Sequence, residues 1–172
     1  MYLNENLLTG QIPDELSGLL DADELFLFGN QLTGTIPADF GGLVDLVNLY
    51  MHDNRLSGEI PSSLGQLKRL QRLYLQDNNI RGQIPPELGG IISLQRIELH
   101  NNSLTGKVPS FLGGFLGLAV LTLQENNLTG EMPAEICALR NVGPIDDLEV
   151  LEADCANGTG IGMDCTCCSF CW

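Results

Sequence analysis

Basic residues are scarce: 8 lysines and arginines stand against 22 aspartates and glutamates in 172 residues, a formal net charge of −14. A field of that sign repels polyanions, which excludes nucleic acid and anionic bilayer surfaces as partners. Long apolar runs are missing too. The longest, residues 115–123, is interrupted by Gly117 and Thr122 and falls far short of the roughly 20 residues that cross a bilayer. No membrane insertion is expected of this segment. The chain opens Met1, Tyr2, Leu3, Asn4, Glu5, Asn6, without the basic stretch and continuous apolar run of a signal peptide. Catalytic signatures are equally sparse. No nucleophile elbow, phosphate loop or HExxH motif occurs, and Gly158, Gly160 and Gly162 lack the dinucleotide spacing. The two histidines have no sequence-local partner for general-base work. Neither enzymatic activity nor a cofactor is expected.

Glycine is abundant, at 20 residues, and the excess follows a long period. In blocks of 24 residues, Asn6, Asn30, Asn54, Asn78, Asn102 and Asn126 fall in one column. Two positions on stand Leu8, Leu32, Leu56, Ile80, Leu104 and Leu128, and four positions on stand Gly10, Gly34, Gly58, Gly82, Gly106 and Gly130. An apolar residue and a proline follow in every block, from Ile12-Pro13 to Met132-Pro133. Before each asparagine the pattern is LxxLxL, as in Leu46, Leu49 and Met51 or Leu70, Leu73 and Leu75.

Alternation of that kind makes a short strand with one face inward and one outward. A single 24-residue unit cannot bury its own apolar side, so the units must stack, strand beside strand, into a parallel sheet. An asparagine amide both donates and accepts, so a buried column of them can satisfy backbone groups of adjacent coils. The glycine permits a conformation or close approach that a Cβ would obstruct. The proline column argues against regular α-helix there and predicts extended and 3₁₀-like backbone.

The block NxLTGxIPxxLGxL resembles the plant-type leucine-rich repeats of receptor-like proteins, receptor kinases and secreted inhibitors of cell-wall-degrading enzymes. The resemblance covers residues 1–142, six repeats with the first truncated. It implies an α/β solenoid, a right-handed superhelix shaped as a horseshoe or arc, with a concave parallel sheet and convex 3₁₀ or irregular turns. Residues 143–172 read as a degenerate seventh repeat and a cysteine-rich cap. Leu148, Leu151 and Ala153 continue the strand pattern, while Ala156 stands where asparagine should come. The first coil lacks its leading LxxL, and the natural gene is expected to extend upstream.

LEVLEADC followed by CxCCxxC is similar to the caps of secreted algal, diatom-like repeat proteins. The six cysteines, Cys137, Cys155, Cys165, Cys167, Cys168 and Cys171, are expected to form disulfides, with adjacent Cys167 and Cys168 taking different partners. The competing reading is a thiolate zinc site on Cys165, Cys167, Cys168 and Cys171. Asn101, Asn127 and Asn157 each begin an N-x-[ST] triplet and are glycosylation candidates.

Three columns are expected to point outward on the concave face. They include Phe26, Tyr50, Tyr74 and Glu98; Phe28, His52, Gln76 and His100; and Arg72 with Arg96. Solvent-facing aromatics make a contact surface, though rings stacked along a ladder also stabilise a sheet. His52 and His100 lie two coils apart, about 10 Å at the usual strand spacing, which is too far to share a metal; exposed polar residues are expected there. Together the pattern and the resemblance imply an extracellular or cell-surface recognition module for a protein, peptide or glycan, engaged in signal transduction. They allow the full-length protein a transmembrane span. The alternatives are a polygalacturonase-inhibitor-like protein and a structural wall protein.

Overall fold

The computed structural model describes residues 1–139, 148–154, 163–165 and 167–171. We number the coils one to six by their asparagines, Asn6 to Asn126. The strands Glu24–Phe26, Asn48–Tyr50, Arg72–Tyr74, Arg96–Glu98, Val120–Thr122 and Val150–Ala153 lie side by side and parallel, with Phe170–Cys171 at one edge. Tyr2 bridges to Phe26 at the other. Pairing advances 24 residues per coil, as in Glu24↔Asn48. At Val120↔Val150 it advances by 30, so six extra residues are accommodated before the Val150–Ala153 strand. The middle residue of each strand, Leu25, Leu49, Leu73, Ile97, Leu121 and Leu151, is at most 1% exposed. Each such burial contributes about 1.5–3 kcal/mol.

Past the asparagine the chain turns into a second set of short parallel strands. Four of these, Ser57–Gly58, Asn79–Gly82, Ser103–Gly106 and Asn127–Leu128, form one sheet, and Thr9–Gln11 pairs with Gln31–Thr33. Their glycine column, Gly10 to Gly130, has φ between +77° and +90°, a region in which a Cβ is strained. Each coil then passes its proline and enters a 3₁₀ turn: Asp14–Gly18, Ala38–Gly42, Ser62–Gln66, Pro86–Gly90 and Ser110–Gly114.

These turns pack so closely that a Cβ on Gly65 would lie 2.4 Å from the Glu87 carbonyl oxygen. The sixth coil departs from the 3₁₀ expectation, with an α-helix at Ala134–Ala138. Cys137 occupies the column held by Gly41, Gly65, Gly89 and Gly113 in the earlier coils, and its N–H reaches the Pro133 carbonyl.

The asparagine column works by sharing. Asn54 Oδ1 accepts from Leu32 N–H of the preceding coil at 3.0 Å. Its Nδ2 donates to Leu27 O of that coil and to Met51 O and His52 O of its own, at 3.0–3.2 Å. The same four contacts recur at Asn78, Asn102 and Asn126. Full burial is confined to Asn54 and Asn78, and Asn6 is exposed.

At the far end Asp154 does what the next coil's carbonyls do elsewhere. Its carboxylate accepts from Glu125 N–H at 2.8 Å and Asn126 N–H at 2.9 Å. Two disulfides, Cys137–Cys167 and Cys165–Cys168, give the adjacent cysteines different partners and leave Cys165, Cys167 and Cys168 no thiolate for zinc. Cys155 and Ala156 lie outside the described residues, as does the side chain of Cys171.

Candidate binding face

Alternation along the concave strands sends one residue in two outward, and the 24-residue register stacks equivalent side chains from coil to coil. The column four before the asparagine becomes an aromatic ladder. Tyr2 meets Phe26 edge-on at 4.9 Å between ring centroids. Phe26 lies flat against Tyr50 at 4.4 Å and 3°, and Tyr50 against Tyr74 at 4.3 Å and 7°. A second stack runs beside it, Phe28 on His52 at 4.5 Å and 7°. The two interlock through tilted contacts at 5.9–6.4 Å.

Such pairs stabilise by about 0.5–1.5 kcal/mol each beyond burial. The rings stack on one another, and Phe26, Phe28, Tyr50 and Tyr74 are half-buried. The expected exposure of His52 is corrected by the same stacking. Its ring is half-buried, and burial pushes its pKa below the ordinary histidine value despite the nearby carboxylates of Asp53 and Asp77.

The ladder stops at coil five, where Glu98 replaces the ring. Burial holds its carboxyl above the usual pKa against the opposing influence of His100, Arg96 and Tyr74. His100 Nδ1 lies 2.9 Å from Thr122 Oγ1, and its Nε2 is 3.9 Å from Asp77. Gln76, expected as a contact residue, is only 8% exposed, in the column between His52 and His100. Its Oε1, like that of Gln124, is buried without a hydrogen-bond partner among the described residues.

The outermost column forms a polar relay. Arg72 Nη1 donates to Asn48 Oδ1 at 3.0 Å, Asn48 Nδ2 donates to Glu24 Oε1 at 2.7 Å, and the Tyr2 hydroxyl donates to Glu24. These two donors hold the Glu24 carboxyl below its usual pKa. Arg96 follows Arg72 in register.

One column escaped sequence reasoning. Immediately before each asparagine stand Glu5, Gly29, Asp53, Asp77, Asn101 and Glu125, all with φ between +50° and +65°. The signal was available, because glycine, asparagine and aspartate are the residues that tolerate this region. The result is an acidic rim beside the concave face. Asn101 and Asn127 are both exposed, and Asn101 Nδ2 donates to Asp77 at 2.7 Å. Asn157 lies outside the described residues.

Stacked coils, a concave sheet of outward-facing side chains and an asparagine ladder define a repeat solenoid that presents one continuous surface. The leucine-rich-repeat profile matches residues 23–43, 45–67, 69–91 and 93–115. This chain belongs to the leucine-rich-repeat family, and its domain is a non-catalytic binding module of the plant type.

Among solved structures it is similar to the plant peptide hormone receptor RGFR1 in complex with RGF2, at 34% identity and a TM-score of 0.81 over 90% of this chain. The chain spans 24% of that receptor chain's length. It is also similar to the ectodomain of the receptor kinase SOBIR1 from Arabidopsis thaliana, at 30% identity and a TM-score of 0.71, covering 74% of this chain and 71% of that one. A plant ice-binding protein matches at 33% identity and a TM-score of 0.76, over 80% of this chain and 45% of that one. No curated protein matches in sequence. The variety of these neighbours illustrates that the fold hosts more than one function, which therefore has to be argued from the surface.

Proposed function

We propose that this chain is the recognition module of an extracellular or cell-surface receptor-like or secreted protein, and that it binds a peptide, protein or glycan across its concave face. The observation that carries this reading is the four-ring ladder Tyr2, Phe26, Tyr50 and Tyr74, presented beside Arg72 and Arg96 on the face of an otherwise acidic protein. Tyrosine and arginine are the residue types that dominate binding energy at interfaces. RGFR1 was solved with a peptide hormone, and the two disulfides fit a secretory route. A secreted inhibitor that docks on a wall hydrolase would use the same face. The cap is assigned to the algal type on LEVLEADC and CxCCxxC.

Arrays of synthetic peptides and cell-wall oligosaccharides test the proposal, probed with the purified chain and with two variants. Signals that fall about tenfold or more in Arg72→Ala, Tyr74→Ala and persist in Arg81→Ala support it. Arg81 is exposed on the second sheet. Equal signals from all three proteins would move recognition off the concave face.

A further inference from the structure

The concave face is polarised along the solenoid axis, and this polarity specifies its occupant. Over coils one to four the two central columns carry the rings Tyr2, Phe26, Tyr50 and Tyr74 beside Phe28 and His52, with Asn4 and Gln76 and no acid. From coil five onward the rings end and carboxylates enter: Glu98 and Glu152 flank Thr122 in one central column, with His100 and Gln124 in the other and Glu125 on the rim. The cations of the face, Arg72 and Arg96, are confined to the opposite edge column.

The carboxylates are short of positive partners. Glu98 is half-buried and makes no salt bridge among the described residues, and burial outweighs the influence of His100 and Arg96 on its carboxyl. Glu152 accepts from the neutral amide of Gln124 at 2.6 Å. In the neighbouring column Gln76 and Gln124 leave their Oε1 atoms buried without a hydrogen-bond partner among the described residues.

Resting on the concave-face reading above, we propose that the occupant is an extended peptide with an apolar or aromatic part over coils two to four and a lysine- or arginine-bearing part over coils five and six and the Val150–Ala153 strand. Charge complementarity assigns the basic part, because a cation brought to Glu98 and Glu152 offsets charge that the fold leaves uncompensated. Ring geometry disfavours the glycan alternative. A sugar stacks on an open ring face, whereas Phe26 and Tyr50 have a ring against each of theirs and Phe28 and His52 each use one face on the other.

The test uses fluorescein-labelled ten-residue peptides, one half leucine and tyrosine and the other half lysine and arginine, in both orders. Matched peptides carry glutamate in place of the basic residues, and cellohexaose serves as the glycan probe. Anisotropy at about 0.15 M salt should show the basic peptides binding roughly tenfold tighter than the glutamate set. Glu98→Gln with Glu152→Gln, near-isosteric and confirmed folded by circular dichroism, should weaken them about fivefold or more. Asp14→Asn with Glu15→Gln makes the same change in net charge on the exposed first turn and should leave affinity within about twofold.

Equal loss in the two double variants means bulk charge alone and overturns the proposal, as does binding of the basic peptides no tighter than that of the glutamate peptides. If Tyr74→Ala abolishes binding of the glutamate peptides or cellohexaose while the glutamine pair changes nothing, the basic-peptide proposal falls and the concave face stands.

Discussion

Replacing Asn78 by leucine keeps the side chain's size and removes its four hydrogen bonds, and the structure shows which groups would be left without a partner. Met51 O still accepts from Asn54 at 3.2 Å, Leu75 O from Asn102 at 3.0 Å, and Gln76 O from Asp53 N–H at 3.2 Å. Each of these carbonyls loses one of two donors. The Leu56 N–H, which donates to Asn78 Oδ1 at 2.9 Å, has no second acceptor among the described residues. One fully orphaned buried N–H costs about 1–3 kcal/mol, and three half-satisfied carbonyls add about 0.5 kcal/mol each, so about 2.5–4.5 kcal/mol is expected in total. In a chain of this size that lowers the melting temperature by roughly 5–18 °C. Asn79→Leu is the control, because Asn79 is exposed one residue away, and its variant should melt within about 2 °C of wild type. Circular dichroism melts and urea unfolding midpoints measure both. Equal midpoints for the two variants, or a loss below about 1 kcal/mol at Asn78, would refute the ladder as an energetic unit.

The glycines separate into tight and open positions. Gly65→Ala drives a Cβ to 2.4 Å from Glu87 O and should cost about 2 kcal/mol or more, whereas Gly114→Ala meets nothing within 4 Å and should be neutral or slightly stabilising; matching melts would contradict the packing of successive turns. Burial raises the Glu98 pKa, so this group favours the folded state below the ordinary carboxylate pKa, and its contribution is lost as pH rises through the raised value. Glu98→Gln should therefore raise the melting temperature at about pH 7, by less than about 3 °C, and change it little near pH 4; a variant stabilised only in acid would reverse the sign. Cys137→Ser removes the bond to Cys167 and should destabilise the C-terminal coils by about 2–4 kcal/mol. Reductant should mimic that loss in the wild type, while a chelator leaves the melt unchanged; the opposite pattern would restore the metal reading.

Sequence alone carried the coil. The 24-residue period puts Leu49, Leu73 and Ile97 inward and Tyr50, Tyr74 and Glu98 outward, because alternation within a strand and repetition between coils leave no other register. It also located the asparagine ladder and the proline-initiated turns, which follow from local hydrogen-bonding capacity and fixed φ.

Everything that depends on how far apart neighbouring coils sit was decided by tertiary structure. Ring centroids 4.3–4.5 Å apart join the outward aromatic column into a mutual stack, the arrangement the sequence had offered beside an open contact surface, and half-bury His52. Turn packing explains why glycine recurs at Gly41, Gly65 and Gly113, where a Cβ would come within 2.5 Å of the next coil. The pairing of Cys137 with Cys167, and the use of the Asp154 carboxylate in place of a coil's carbonyls, lie where the period fails and the sequence has no repeat to extrapolate. A period specifies which side chains face each other, while the distance between them is set by the balance of packing across the whole stack.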